Sequence, residues 1–217
     1  MRIVICYEWA PNSRHVPVSR DSQVSGSLAT AAFSEHDPVA VELGRRLAND
    51  TGAELVGLSV GLPETAQSMV KQVAVSHGLD RIVLVNDPGP NRAGATATGL
   101  MQAAAIDRIG EVELVLAGDS SFDAASRVVP TMVGGVLGWP ILTEVRWVVR
   151  DGASWRVKWT HDGTGQSRWV TGPVVMTVAA DAVVPHMPRT PSLVQADERP
   201  AETARALDRA LRQVGLA

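Results

Sequence analysis

Four short runs of almost unbroken apolar, β-branched character recur along the first part of the chain. They are Arg2-Ile3-Val4-Ile5-Cys6, Glu54-Leu55-Val56-Gly57-Leu58-Ser59-Val60, Arg81-Ile82-Val83-Leu84-Val85 and Glu113-Leu114-Val115-Leu116-Ala117. A strand with one wetted face alternates apolar and polar residues, whereas these do not, so each reads as a strand covered on both sides. Longer stretches with helical stop signals lie between them. That alternation predicts βαβ units, hence an α/β fold of Rossmann-like type built on a mostly parallel sheet.

The helices can be placed from their end signals. Asp37 reads as an N-cap with Pro38 behind it, and the helix runs on to Gly52. Residues 64–76 and 94–109 form two more, closed by His77-Gly78 and by Gly110. Residues 12–34 show no periodicity and read as a long excursion, with hairpin character, between the first strand and the first helix. After Pro140 the pattern changes to alternation in residues 143–150 and 155–159, joined at Asp151-Gly152, with residues 168–171 as a third strand. This predicts a small antiparallel addition before residues 173–178 return to the main sheet. The tryptophans Trp147, Trp155, Trp159 and Trp169 read as local packing. Pro185, Pro188, Pro191 and Pro200 make the following stretch an extended arm, and residues 201–212 carry the pattern of a terminal helix. The expected division is therefore 1–180 for the domain and 181–217 for the arm.

Composition narrows the function classes. With 217 residues and 45% hydrophobic content the chain can build a core, while a net charge of -3 and scattered arginines offer no basic stripe for nucleic acid. No apolar run reaches the roughly 20 residues of a membrane span. One cysteine, Cys6, can form neither an intrachain disulfide nor a thiolate metal site, and together with an amino terminus unlike a signal peptide it leads us to expect a soluble, cytoplasmic protein. No catalytic motif stands out: there is no Walker A loop, no nucleophile elbow, and the five histidines lack ligand spacing.

The most informative stretch follows the fourth run: Gly118-Asp119-Ser120-Ser121-Phe122-Asp123-Ala124-Ala125-Ser126-Arg127-Val128-Val129. A small-residue turn from a parallel strand into a helix presents free backbone N–H groups at the carboxyl edge of the sheet, where such folds take phosphates and nucleotides. Asp123 or Ser126 could equally serve only as a helix cap.

These residues, with Asp37-Pro38-Val39-Ala40-Val41-Glu42, with His77 to Val85 and with Leu137-Gly138-Trp139-Pro140-Ile141-Leu142-Thr143, come in an order that resembles the β subunit of electron transfer flavoproteins. The resemblance covers nearly the whole chain. It implies an adenine-nucleotide-hydrolase-like domain, a heterodimer with an α subunit that holds most of an FAD, and electron traffic from a dehydrogenase to an acceptor, with no catalytic centre in this chain. It further implies an adenine nucleotide, AMP, held here by Cys6, by Ser34, His36 and Asp37, by Val60, and by Gly118, Asp119, Ser120, Ser121, Phe122, Asp123, Ser126, Arg127, Val128 and Val129. Arg189 and Leu193 match the family's dehydrogenase-binding segment. The chain also departs from the family. Arg127, Val128 and Val129 stand where polar Asn, Gln and Thr are usual, Glu8 replaces a lysine, and Ala196-Asp197-Glu198 replace lysines beyond the recognition leucine. Such differences imply a different dehydrogenase. Two other readings remain: a stand-alone adenine-nucleotide module with a regulatory role, and a structural β subunit that binds no nucleotide.

Overall fold

The computed structural model describes residues 1–11, 31–34, 36–60, 77–85, 94–119, 128–186 and 201–204. Within them the chain runs β1 (Arg2–Cys6), β2 (Trp9–Pro11), β3 (Ala31–Phe33), α1 (Asp37–Thr51), β4 (Glu54–Val60), β5 (Arg81–Val85), α2 (Ala95–Ile109), β6 (Val112–Gly118), α3 (Val128–Leu137), β7 (Ile141–Asp151), β8 (Ser154–His161), β9 (Thr164–Thr171), β10 (Val174–Val178) and β11 (Ala201–Ala204). One sheet of nine strands has the order β11-β5-β4-β1-β6-β10-β7-β8-β9. Neighbours from β11 to β7 are parallel, and β7, β8 and β9 pair antiparallel. The expected mixed α/β architecture, a mostly parallel sheet with a small antiparallel addition, is what forms.

The continuous apolar runs are explained by two cores, one on each face. Ile3 and Ile5 join Leu55, Leu84, Leu116 and Met176 beneath α1, while Val4 and Cys6 join Val56, Leu58, Val83 and Val115 beneath α2 and α3. Successive residues of one strand therefore feed opposite layers. Helix α1 lies close to the sheet because residue 44 has no side chain: a Cβ there would stand 2.5 Å from Ile5 Cδ1. Gly52, with φ 68°, ends that helix in the left-handed conformation the sequence called for.

Three expectations need correction. Asp37 is the first helical residue and His36 occupies the cap, without a side-chain cap bond. Residues 201–204, expected to open a terminal helix, form strand β11 beside β5. The open backbone groups along the edge of β5 offer that alanine-rich segment a ladder, and tertiary pairing overrides its helix propensity. The first residues of the expected arm are not free of the domain: Ala182 and Val183 pack on the α1-side core, and His186 Nδ1 lies 2.9 Å from Glu42 Oε1. The second expected helix, at 64–76, lies outside the described residues.

Candidate functional site

Strand β1 is the switch point of the sheet. The chain moves from β1 to β4 and β5 on one side, then returns to β6 on the other, so a crevice opens between the carboxyl ends of β1 and β6. Register places Cys6 opposite Ala117 of β6 and opposite Leu58 of β4, so Tyr7-Glu8, Gly118-Asp119 and Val60 lie at one edge.

The amino terminus of α1 is locked into this edge. The Glu8 N–H donates to Asp37 Oδ2 at 2.7 Å, and Gly118 gives a second backbone hydrogen bond to the same carboxyl group. The Ser34 N–H donates to Glu8 O, and the Asp37 N–H donates to Ser34 O, both at 3.2 Å. Gly118 is needed for this fit, because a Cβ on it would stand 2.8 Å from Asp37 Oδ1 and 2.9 Å from His36 Cβ. Burial drives the Asp37 pKa up to about 8, with the Glu8 charge adding to the rise and the Glu8 and Gly118 N–H groups opposing it.

The sequence-derived candidates divide by position. Cys6, Ser34, His36, Asp37, Val60, Gly118 and Asp119 come together at the edge. The Cys6 thiol is buried on the α2 side, where desolvation, and then the Asp37 charge, hold its pKa far above the ordinary value. Only its backbone faces the crevice end. Val128 and Val129 begin α3, with Val128 44% exposed and the Val129 carbonyl against Gly99 of α2. Ser120, Ser121, Phe122, Asp123, Ser126, Arg127, Arg189 and Leu193 lie outside the described residues.

Two residues absent from the sequence-derived set shape the site. Thr177 of β10 donates to Asp119 Oδ1 at 3.0 Å and accepts the Glu144 N–H at 3.1 Å, which orients the first residue after β6. Glu144 itself has φ 56°, a left-handed conformation at an irregularity of β7. A lone hydroxyl within the apolar run Val174-Val175-Met176-Thr177-Val178 is the signal that marks Thr177. Ser59 is the same kind of signal in β4. Its hydroxyl is buried without a hydrogen-bond partner, as is that of Ser34 beside the crevice.

A family model described as the electron transfer flavoprotein domain matches residues 27–210. The chain belongs to the electron transfer flavoprotein domain family. Proteins of this family carry electrons rather than catalyse a reaction of their own, and the match spans α1, β6 and the ribbon β7–β9, with β1 lying ahead of it. No helix among the described residues is long and apolar enough to cross a membrane.

Proposed function

We propose that this chain is the β-type subunit of an electron transfer flavoprotein, pairs with an α-type chain that holds most of an FAD, and carries AMP in the crevice between β1 and β6. The bound flavin supplies the redox chemistry, accepting electrons from a dehydrogenase and passing them on. This chain's residues bind and position. The observation that carries the nucleotide reading is the Ser34 hydroxyl, 3% exposed, unpartnered and adjacent to the crevice end of β1. Buried hydroxyls without partners are rare, and the ribose and phosphate oxygens of AMP are acceptors of the kind this donor lacks. Asp37 does not touch the nucleotide in this reading; it fixes the strand ends between which the nucleotide lies. Gly118 to Val129 would supply the phosphate-facing backbone, and Arg189 and Leu193 the contact with a dehydrogenase in the cytoplasm.

The test is co-expression with an α-type subunit, followed by release and quantification of nucleotides from the purified complex. One FAD and one AMP per heterodimer is the expected result. Two FAD would replace AMP by a second flavin, FAD alone would make this chain a structural half, and no complex and no flavin would overturn the reading in favour of a stand-alone nucleotide module.

A further inference from the structure

Strand β10 leads at once into a short strap, residues 179–186, that reaches helix α1. Both ends of the strap are tied to parts that build the crevice. At the β10 end, Thr177 donates to Asp119 Oδ1 at 3.0 Å, and Asp119 is the first residue beyond β6. At the other end, His186 Nδ1 lies 2.9 Å from Oε1 of the buried Glu42. Glu42 stands on the helix whose first residue, Asp37, takes the Glu8 and Gly118 N–H groups. The two carboxyl residues lie about 7.5 Å apart along one helix axis. That helix is seated closely on the sheet, with Gly44 against Ile5 Cδ1, so it moves as a body rather than bending between them.

The two junctions differ in strength. Asp37 is a buried group with two backbone hydrogen bonds, whereas the strap is held lightly. Its ion pair, Asp181 with Arg146, is exposed and adds little. Ala182 and Val183 are only partly buried against the α1-side core, and Val184 is exposed. His186 is exposed as well, and the carboxylate it meets is already bridged by Arg45 and Arg46. The backbone contributes turn bonds, from the Ala179 N–H to Val145 O and from the Ala182 N–H to Ala179 O, both at 3.0 Å. A segment of this kind opens locally while the rest of the domain stays folded. Docking needs α1 and residue 119 in one relative position, and a ligand between the ends of β1 and β6 fixes that same position.

We propose that the strap and the crevice are coupled through α1 and Asp119: a nucleotide in the crevice holds the strap docked on Glu42, and release of the strap loosens the nucleotide. This rests on the nucleotide reading above. The coupling is reciprocal, as linkage requires, and Glu42 and His186 act on the nucleotide by position, without touching it. Because the strap precedes the segment with Arg189 and Leu193, nucleotide occupancy sets the direction in which the chain leaves α1 toward a partner.

The test is hydrogen exchange of the full chain at neutral pH, with and without saturating AMP. The amides of residues 182–184 and 186 should slow by about fivefold or more, while those of residues 154–161 in β8, paired on both sides, serve as the reference. Calorimetric titration supplies the converse: His186→Ala and Glu42→Gln should each weaken AMP by about the factor by which AMP slows the strap. His186 is exposed, so its variant keeps the measurement open even where Glu42→Gln fails to fold. AMP that binds the natural chain, leaves strap exchange unchanged and binds His186→Ala equally well overturns the coupling and leaves the nucleotide reading standing. Equal slowing of the strap and β8 would be general stabilisation by a ligand, and overturns it too. A natural chain that takes up no AMP, alone or paired with an α-type subunit, overturns both.

Discussion

Asp37 Oδ2 accepts the Glu8 N–H at 2.7 Å, across 29 positions of sequence, and thereby ties the exit of β1 to the start of α1. The same carboxyl group also takes a backbone hydrogen bond from Gly118, at the exit of β6. One buried side chain therefore sets the spacing of the two strand ends that define the crevice. Nothing local to α1 requires this: the helix begins with His36 at its cap and derives no side-chain cap bond from it.

The pH dependence of stability tests the protonation of Asp37. An unfolded aspartate titrates near pH 4, whereas the folded one titrates at about 8, so between those values the folded chain holds a proton that the unfolded chain has released. Stability should fall as pH rises across that interval and level off above it, by at most about 1.4 kcal/mol per pH unit. His77, whose pKa burial lowers, works in the opposite sense only up to about pH 6.5, where an unfolded histidine loses its proton. Asp37→Asn cannot ionise, so urea unfolding between about pH 6.5 and 7.5, below the range where an unfolded Cys6 thiol titrates, should show the downward slope in the natural chain and not in the variant. Equal slopes would mean that Asp37 is ionised throughout.

Gly118→Ala addresses the same junction by shape. The added methyl group would meet Asp37 Oδ1, on a buried side chain held by two backbone hydrogen bonds, at 2.8 Å and the His36 carbonyl carbon, which is backbone, at 3.0 Å. We expect a loss of about 1–3 kcal/mol, with AMP binding lost alongside. Gly135→Ala in α3 is the control, since a Cβ there has nothing within 4 Å. A helical Gly→Ala exchange should raise stability by about 0.5–1 kcal/mol, and equal effects of the two variants would show the junction to be plastic.

The parallel strands were legible because burial on both faces leaves an unmistakable pattern: β1, β4 and β5 coincide with the apolar runs at both ends. The third strand of the ribbon was legible only in part. Asp162-Gly163 repeats the turn signal of Asp151-Gly152, and both its residues take positive φ, yet Thr164-Gly165-Gln166-Ser167 carries no apolar residue to mark β9 before Trp169. An exposed edge strand has little to bury and so writes little into sequence. Asp37 looks like a cap in sequence for the converse reason: Asp before Pro at a helix start is a local signal, and its real partners, Glu8 and Gly118, are distant in the chain. Strand β11 was invisible, because its pairing with β5 depends on an edge that exists only once the sheet has formed.

Glu42 is the other buried carboxylate among the described residues, and its sign is opposite. Burial pushes its pKa up, but hydrogen bonds from Arg46, Arg45 and His186 outweigh that and hold it below the ordinary value. Its contribution is therefore present above the unfolded pKa and disappears as pH falls through the folded one. Glu42→Gln should cost about 1–3 kcal/mol near neutral pH, and the difference from the natural chain should shrink below about pH 4. A difference that does not vary with pH would assign the effect to packing. The variant removes the carboxylate charge that faces His186 Nδ1, so exchange of the amides of residues 182–184 and 186 should quicken.

Ser34 and Ser59 separate a ligand-facing hydroxyl from one that is merely buried. Both Oγ atoms lack a hydrogen-bond partner, with residue exposures of 3% and 1%. A desolvated, unpaired hydroxyl is a net cost, so Ser59→Ala should leave stability unchanged or raise it by about 1 kcal/mol. Ser34→Ala should do the same to the nucleotide-free chain. The two must then part company: if AMP accepts a hydrogen bond from Ser34, its affinity falls by about three- to tenfold in Ser34→Ala, while Ser59→Ala binds as the natural chain does. Calorimetric titration of AMP into both variants measures this directly. Equal affinities would remove Ser34 from the nucleotide site and with it the observation on which that assignment stands.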